Sequence, residues 1–131
     1  VLDLARRADL ALVGIGDIRA SGLVRAGYLS PEEAKSLERE GVVGHICAHF
    51  FDLHGNPRET RMAERIVGLS LPEIDRIKKV VAVAGGTHKV AAIHGALRTG
   101  VIDVLVTDEV TALELLELAK SQSPEGFWEE T

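Results

Sequence analysis

Residues 80–121 pass twice through one cycle: a short apolar run, a polar turn, then a helix-forming stretch. "VVAVAG" (80–85) leads into "THKVAAIHGALRTG" (87–100), and "VIDVLVTD" (101–108) leads into "EVTALELLELAKS" (109–121). Strands that are apolar throughout and joined by helices are the mark of a parallel sheet with right-handed crossovers. "DLALVGIGD" (9–17) is a third run of this type. The pattern predicts an α/β fold with parallel strands at about 9–14, 80–84 and 102–106. Ligands of such sheets bind beyond the carboxyl ends of the strands. Three strand ends are polar and would meet at that edge: Gly16-Asp17, Gly85-Gly86-Thr87 with Lys89, and Thr107-Asp108-Glu109.

The intervening chain carries clear punctuation. "SPEEAKSLEREG" (30–41) predicts a helix with Ser30 as N-cap, Pro31 at the first helical position, Glu33 completing a capping box and Gly41 as the stop. Ser70 and Glu73 form a second capping box, opening "LPEIDRIKK". "VVGHICAHFFD" (42–52) has the β-branched and aromatic content of a strand, "LHGNPR" (53–58) reads as a turn, and "RIVGLSL" (65–71) as a weak strand. "SGLVRAGYL" (21–29) reads as a loop with some helix. The tail "QSPEGFWEET" is polar and acidic, with Phe127 and Trp128 free to dock. No internal repeat is present.

Length, at 131 residues, fits one domain. The formal net charge of -5 argues against direct nucleic-acid binding, which rests on Lys and Arg against phosphate. No apolar run approaches the ~18 residues that span a bilayer, so no membrane partner is expected. Cys47 is the one cysteine, which excludes an internal disulfide and fits a reducing, cytoplasmic setting. The chain opens on Val1 in what reads as the end of a helix, so it is expected to begin inside a larger architecture.

The chemistry-bearing groups each have two readings. The Gly85-Gly86 turn lets backbone approach a ligand, and Lys89 adds a full positive charge near a helix start. A tight strand-to-helix turn with a solvated lysine needs the same residues. The segment "GGTHKV" fits neither the P-loop pattern nor the dinucleotide fingerprint. Asp108 could accept a sugar hydroxyl or cap the helix that follows; Asp17 could accept a hydroxyl or stabilise its own turn. His45, Cys47 and His49 would share one face of a continuous strand and are good zinc donors. Their spacing is no recurring zinc signature, and no metal is expected. Nucleophilic catalysis has no support: Cys47 is expected inside an apolar strand, and G-x-S-x-G is missing.

Taken together, "ADLALVGIGDI", "GVVGHICAHFFDLHGNP", "RIVGLSLPEI" and "VVAVAGGTHKVAAIHGALRTGVIDVLVTDEVTALELL" resemble the sugar-binding effector domain of the SorC (DeoR-like) family of bacterial transcriptional regulators. The resemblance runs from about Ala8 to about Leu118. It implies a Rossmann-like parallel sheet with flanking helices, similar to the phosphosugar isomerase and CoA-transferase superfamily. It implies a phosphorylated sugar as effector, a homo-oligomer, and operator contact only through an N-terminal helix-turn-helix domain absent from this chain. Lys89 matches the lysine of the family's Gly-Gly-x-x-Lys turn, with Gly85, Gly86 and Asp108 at neighbouring motif positions. The family often has Asp where this chain has His45, and Arg where it has His49. The family domain also opens with a further strand and a phosphate-holding loop, so residues 1–131 are expected to be its later part.

The expected function is therefore effector binding without catalysis or cofactor, at Asp17, Gly85, Gly86, Lys89 and Asp108. The alternatives are a small phosphosugar isomerase or lactonase on the same fold, and a plain oligomerisation module.

Overall fold

The computed structural model describes residues 1–123. The tail with Phe127 and Trp128 lies outside the described residues. A short helix α1 (Leu2–Arg6) leads into β1 (Leu10–Gly14). Next come β2 (Gly16–Asp17), α2 (Gly22–Arg25), α3 (Pro31–Arg39), β3 (Val42–Ile46), β4 (His49–Asp52) and β5 (Pro57–Arg58). A 3-10 turn (Arg61–Arg65) and α4 (Leu71–Asp75) lead to β6 (Lys79–Val83). A second 3-10 turn (Thr87–Lys89), α5 (Val90–Arg98), β7 (Val104–Val106) and α6 (Glu109–Gln122) complete the described chain.

The three expected strands form one parallel sheet in the order β1-β6-β7. Leu10 lies beside Lys79, and Val81 beside Val104. Both predicted capping boxes are formed: Ser30 with Glu33 at α3, and Ser70 with Glu73 at α4.

Between β1 and β6 the chain builds a second sheet, antiparallel, in the order β2-β3-β4-β5. Here the expectation of one long strand over 42–52 is corrected. Cys47 and Ala48 both have positive φ, 49° and 63°, and close a two-residue hairpin between Ile46 and His49. Such turns match the twist of the flanking strands and usually recruit Gly or Asn, so "Cys-Ala" carried no turn signal. The weak strand expected at 65–71 is also absent. Gly68 breaks the run, and the Leu69 carbonyl is taken by His49 Nε2 at 2.9 Å rather than by a strand partner.

Helix α5 lies between the two sheets. Its residues Ala92, Ile93, His94, Gly95 and Ala96 are all buried, which suits a helix covered on several sides. One core joins Ala92, Ile93 and Ala96 to Val80 and Ala82 of the parallel sheet and to Ile46 and Phe51 of the antiparallel one. A second core, of Ile18, Leu37, Val42, Phe50 and Met62, lies under α3. The opposite face of the parallel sheet is open. Leu10 (58% exposed), Leu12 (71%), Val83, Val104 and Val106 all stand on it.

Candidate functional site

The carboxyl ends of β1 and β6 converge beside the N-terminal end of α2. There they enclose an open cleft of about 550 Å³. One wall is the segment from Gly16 through Arg25, including Asp17, Arg19, Ser21 and Gly22. The other is Gly85, His88 and Lys89. Three of the five expected site residues, Asp17, Gly85 and Lys89, therefore meet in one concavity, although Asp17 stands in β2 rather than on the parallel sheet.

Lys89 closes the second 3-10 turn and is half-buried. Its Nζ donates to the Ile15 carbonyl at 3.0 Å, linking the turn after β6 to the chain leaving β1. An ammonium has three donors, so this bond leaves it able to take further acceptors. Asp17 is buried, and its Oδ1 accepts from the Arg19 amide at 3.2 Å. Arg19 is ion-paired with Glu38 at 2.6 Å on the exposed rim.

Gly86 and Asp108 sit behind the cleft and brace it. Gly86 has φ of 108°, a conformation L side chains rarely adopt. Its amide donates to Asp108 Oδ2 at 3.2 Å and to Thr111 Oγ1 at 2.9 Å. Asp108 also caps α6, with Oδ1 accepting from the Thr111 amide at 2.8 Å and Oδ2 from the Thr111 hydroxyl at 2.7 Å. These bonds, the Thr111 amide foremost, hold the Asp108 carboxyl below its ordinary range. A Cβ at Gly85 would come within 2.7 Å of Asp108 Oδ2, so glycine is what lets the turn close on this carboxylate. The helix-capping reading of Asp108 is thus realised.

The zinc constellation does not assemble. His45 bonds towards Ser21, Cys47 is on the exposed hairpin turn and His49 bonds to Leu69. Cys47 was expected inside a strand; its place on the turn follows from the hairpin. Crowding of its sulfur by the protein pushes the thiol pKa up, away from a reactive thiolate. Among the described residues no cluster of three or more His, Cys, Asp or Glu is arranged to hold a metal.

The Sugar-bind family model, a sugar-binding domain, matches residues 1–117. The chain belongs to this family, that of the SorC/DeoR-type transcriptional regulators. It is similar to the deoxyribonucleoside regulator of Bacillus subtilis, 36% identical over 88% of this chain and 37% of that protein. It is also similar to the transcriptional regulator LsrR of Klebsiella pneumoniae, 41% identical over 91% of this chain and 38% of that protein. Among solved structures, a DeoR family transcriptional regulator from Listeria monocytogenes superposes with a TM-score of 0.81 at 34% identity, covering 88% of this chain and 47% of that one. The chain spans somewhat over a third of the length of the curated relatives it matches.

In this sugar-binding domain the sequence reading found Asp17 but missed the rest of its wall of the cleft. Ser21, Gly22 and Arg25 lie in a segment, 21–29, read only as loop with some helix, and Arg19 just before it was given no role. The usable signal was Ser21-Gly22 before Leu23-Val24, an N-cap ahead of an apolar pair. Ser21 does cap α2, its Oγ accepting from the Leu23 amide at 3.1 Å. His45, weighed as a zinc ligand, stands beside this wall instead. Among the described residues no helix is long and apolar enough to cross a membrane.

Proposed function

We propose that residues 1–131 are the later part of the effector domain of a cytoplasmic, sugar-responsive transcriptional regulator. It binds a phosphorylated sugar in the cleft between Gly16–Arg25 and Gly85–Lys89, without catalysis. One observation carries this reading. In a chain of this family, Lys89, Arg25 and His88 converge on one open cleft with the buried carboxylate of Asp17 and the hydroxyl of Ser21. The Lys89 and Arg25 cations suit a phosphate, and the Asp17 carboxylate suits sugar hydroxyls. Gly86 and Asp108 serve the site by holding the turn that carries Lys89. In the whole regulator, ligand binding shifts an oligomeric or conformational equilibrium, and a separate helix-turn-helix domain meets operator DNA. Catalysis has little to work with, since Asp108 is held as a carboxylate in its cap.

The test is titration of the wild type and Lys89→Ala, in this chain and in a full-length parent, with phosphorylated and unphosphorylated sugars. A charge-assisted bond to phosphate contributes about 1.5–3 kcal/mol, so Lys89→Ala should weaken phosphorylated ligands roughly ten- to a hundredfold. The variant also loses the Ile15 bond, worth about 1 kcal/mol of stability, so melting is measured alongside. Equal affinity of both proteins for every phosphorylated ligand that binds removes Lys89 from the site. Turnover of any sugar phosphate removes the non-catalytic reading.

A further inference from the structure

His45 is a half-buried imidazole inserted beneath the cleft wall. It pairs with Gly16 across the β2–β3 ladder, and its ring occupies the space a side chain at position 16 would need. On its other side it meets the Phe50 ring, centroids 5.4 Å apart. Its Nε2 lies 3.3 Å from Ser21 Oγ. Ser21 is buried, and its oxygen already accepts the Leu23 amide that begins α2. The Ser21 proton therefore needs an acceptor, and in the neutral tautomer that carries its proton on Nδ1, the His45 Nε2 can accept it.

We propose that His45 is a positioning residue for the effector cleft: as a neutral ring it latches Ser21 and so holds the Gly16–Arg25 wall, and on protonation it releases that wall and weakens anion binding. This inference rests on the cleft being an anion site. An imidazolium has no lone pair to accept the Ser21 hydroxyl. Its Nε2–H could only donate to the second Ser21 lone pair, which turns the hydroxyl proton away from the ring to where no acceptor stands among the described residues, and it adds charge beside Lys89. The charged groups acting on the ring are Lys89, from the turn after β6, and Asp17, from β2. No charged side chain of α3 or α5, which also pack on β3, acts on it among the described residues. Burial first, then Lys89, push the imidazole below its ordinary value, while Asp17 pulls it part of the way back. The neutral latch is therefore the form present at neutral pH, and release falls on the acid side of the ordinary histidine range.

The sign of the pH effect separates this from ordinary electrostatics. Protonating His45, or His88 in the cleft lining, makes the site more positive, which alone would tighten an anion. The latch predicts the reverse. The probe is inorganic sulfate, whose charge is constant across the range. Wild-type affinity for sulfate is expected to fall about tenfold as His45 titrates, in line with leaving one buried polar group unpaired. In His45→Gln, whose side-chain carbonyl can accept from Ser21 but does not titrate, affinity should stay within about threefold of wild type at neutral pH and show no such fall. Two measurements need no ligand: 15N NMR of the imidazole should show Nε2 unprotonated at neutral pH, and Leu23 amide exchange should accelerate in step with the titration. Sulfate affinity that rises on acidification, an equal fall in His45→Gln, or a Leu23 amide indifferent to His45 protonation would overturn the latch. If sulfate binds at no pH while Leu23 follows the titration, the latch stands and the anion site fails.

Discussion

Gly95, in the middle of α5, offers a test in which two known effects oppose each other. Replacing a helix-interior glycine by alanine favours folding by about 1 kcal/mol through backbone entropy. Position 95, however, faces the hairpin. A methyl there would sit 2.5 Å from the Asp52 carbonyl oxygen, 2.8 Å from Val43 Cγ2 and 3.0 Å from Phe51 Cδ2. Ordinary carbon contacts lie at about 3.5–4.0 Å, so the first two overlaps are severe and the third is tight. The worst is with backbone that cannot give way freely. Asp52 accepts from the Gly55 amide and donates to the Asn56 carbonyl, each at 3.0 Å. Overpacking of this kind costs about 1–3 kcal/mol, and a backbone neighbour places it near the top of that range. Gly95→Ala should then be destabilised by about 1–2 kcal/mol. Urea unfolding should show a lower midpoint with unchanged slope. Gly22→Ala, where nothing lies within 4 Å of the added carbon, is the control and should cost nothing measurable. A Gly95→Ala variant as stable as the wild type would refute the close approach of α5 to the hairpin.

Acid titration should expose the α4 cap. Glu73 is lowered to about 2, first by the Ser70 backbone bond and then by Arg6, against an ordinary value of 4.5. Its contribution is complete above the unfolded value and is lost as pH falls from there towards about 2, so Glu73→Gln should flatten the stability curve across that window alone. The open apolar face should make this chain self-associate. Leu12→Glu with Val106→Lys should shift sedimentation towards monomer, and an unchanged profile would mean that the face is not the contact.

The parallel sheet was legible because its strands are apolar throughout and its helices carry their own start signals, Asp108 above all. The antiparallel sheet was not, for a local reason. Cys47 and Ala48 take left-handed backbone conformations that their side chains do not advertise, so a hairpin read as one strand. That single misreading set His45, Cys47 and His49 on a common face as candidate donors, where the hairpin separates them. The Gly85–Lys89 wall was visible from its glycines and lysine. Of the opposite wall only Asp17 was, because Arg19, Ser21 and Arg25 depend on β2 turning away from β1 to pair with β3, a long-range event with no periodic signature. The roles of Gly86 and Asp108 divide similarly. The capping spacing of Asp108 was readable, whereas its bond to the Gly86 amide, 22 residues away, is a product of the parallel register.

The position of the cleft suggests how occupancy would be felt elsewhere. Its walls belong to different sheets, and the Lys89–Ile15 bond joins them where β1 hands over to β2. A ligand that took Lys89 away from Ile15 would lose part of what it gained and untie the walls, since one hydrogen bond would replace another. A ligand that used the two remaining ammonium donors would add its bonds to the existing one and draw the walls together. Only the second case gives a closed arrangement a higher affinity than an open one, and the shift it can drive is limited to that difference. One charge-assisted bond present only in the closed form corresponds to a factor of roughly ten to a hundred. Lys89→Arg discriminates between the two cases. Its planar guanidinium offers donors in a fixed fork rather than three rotatable ones, so it can bind phosphate yet not keep Ile15 in the same geometry. Additive bonding predicts that Lys89→Arg retains most of the affinity for a phosphorylated sugar but loses the ligand-induced change in association, as read by sedimentation with and without ligand. Retention of both would show that the Ile15 bond plays no part in coupling the walls.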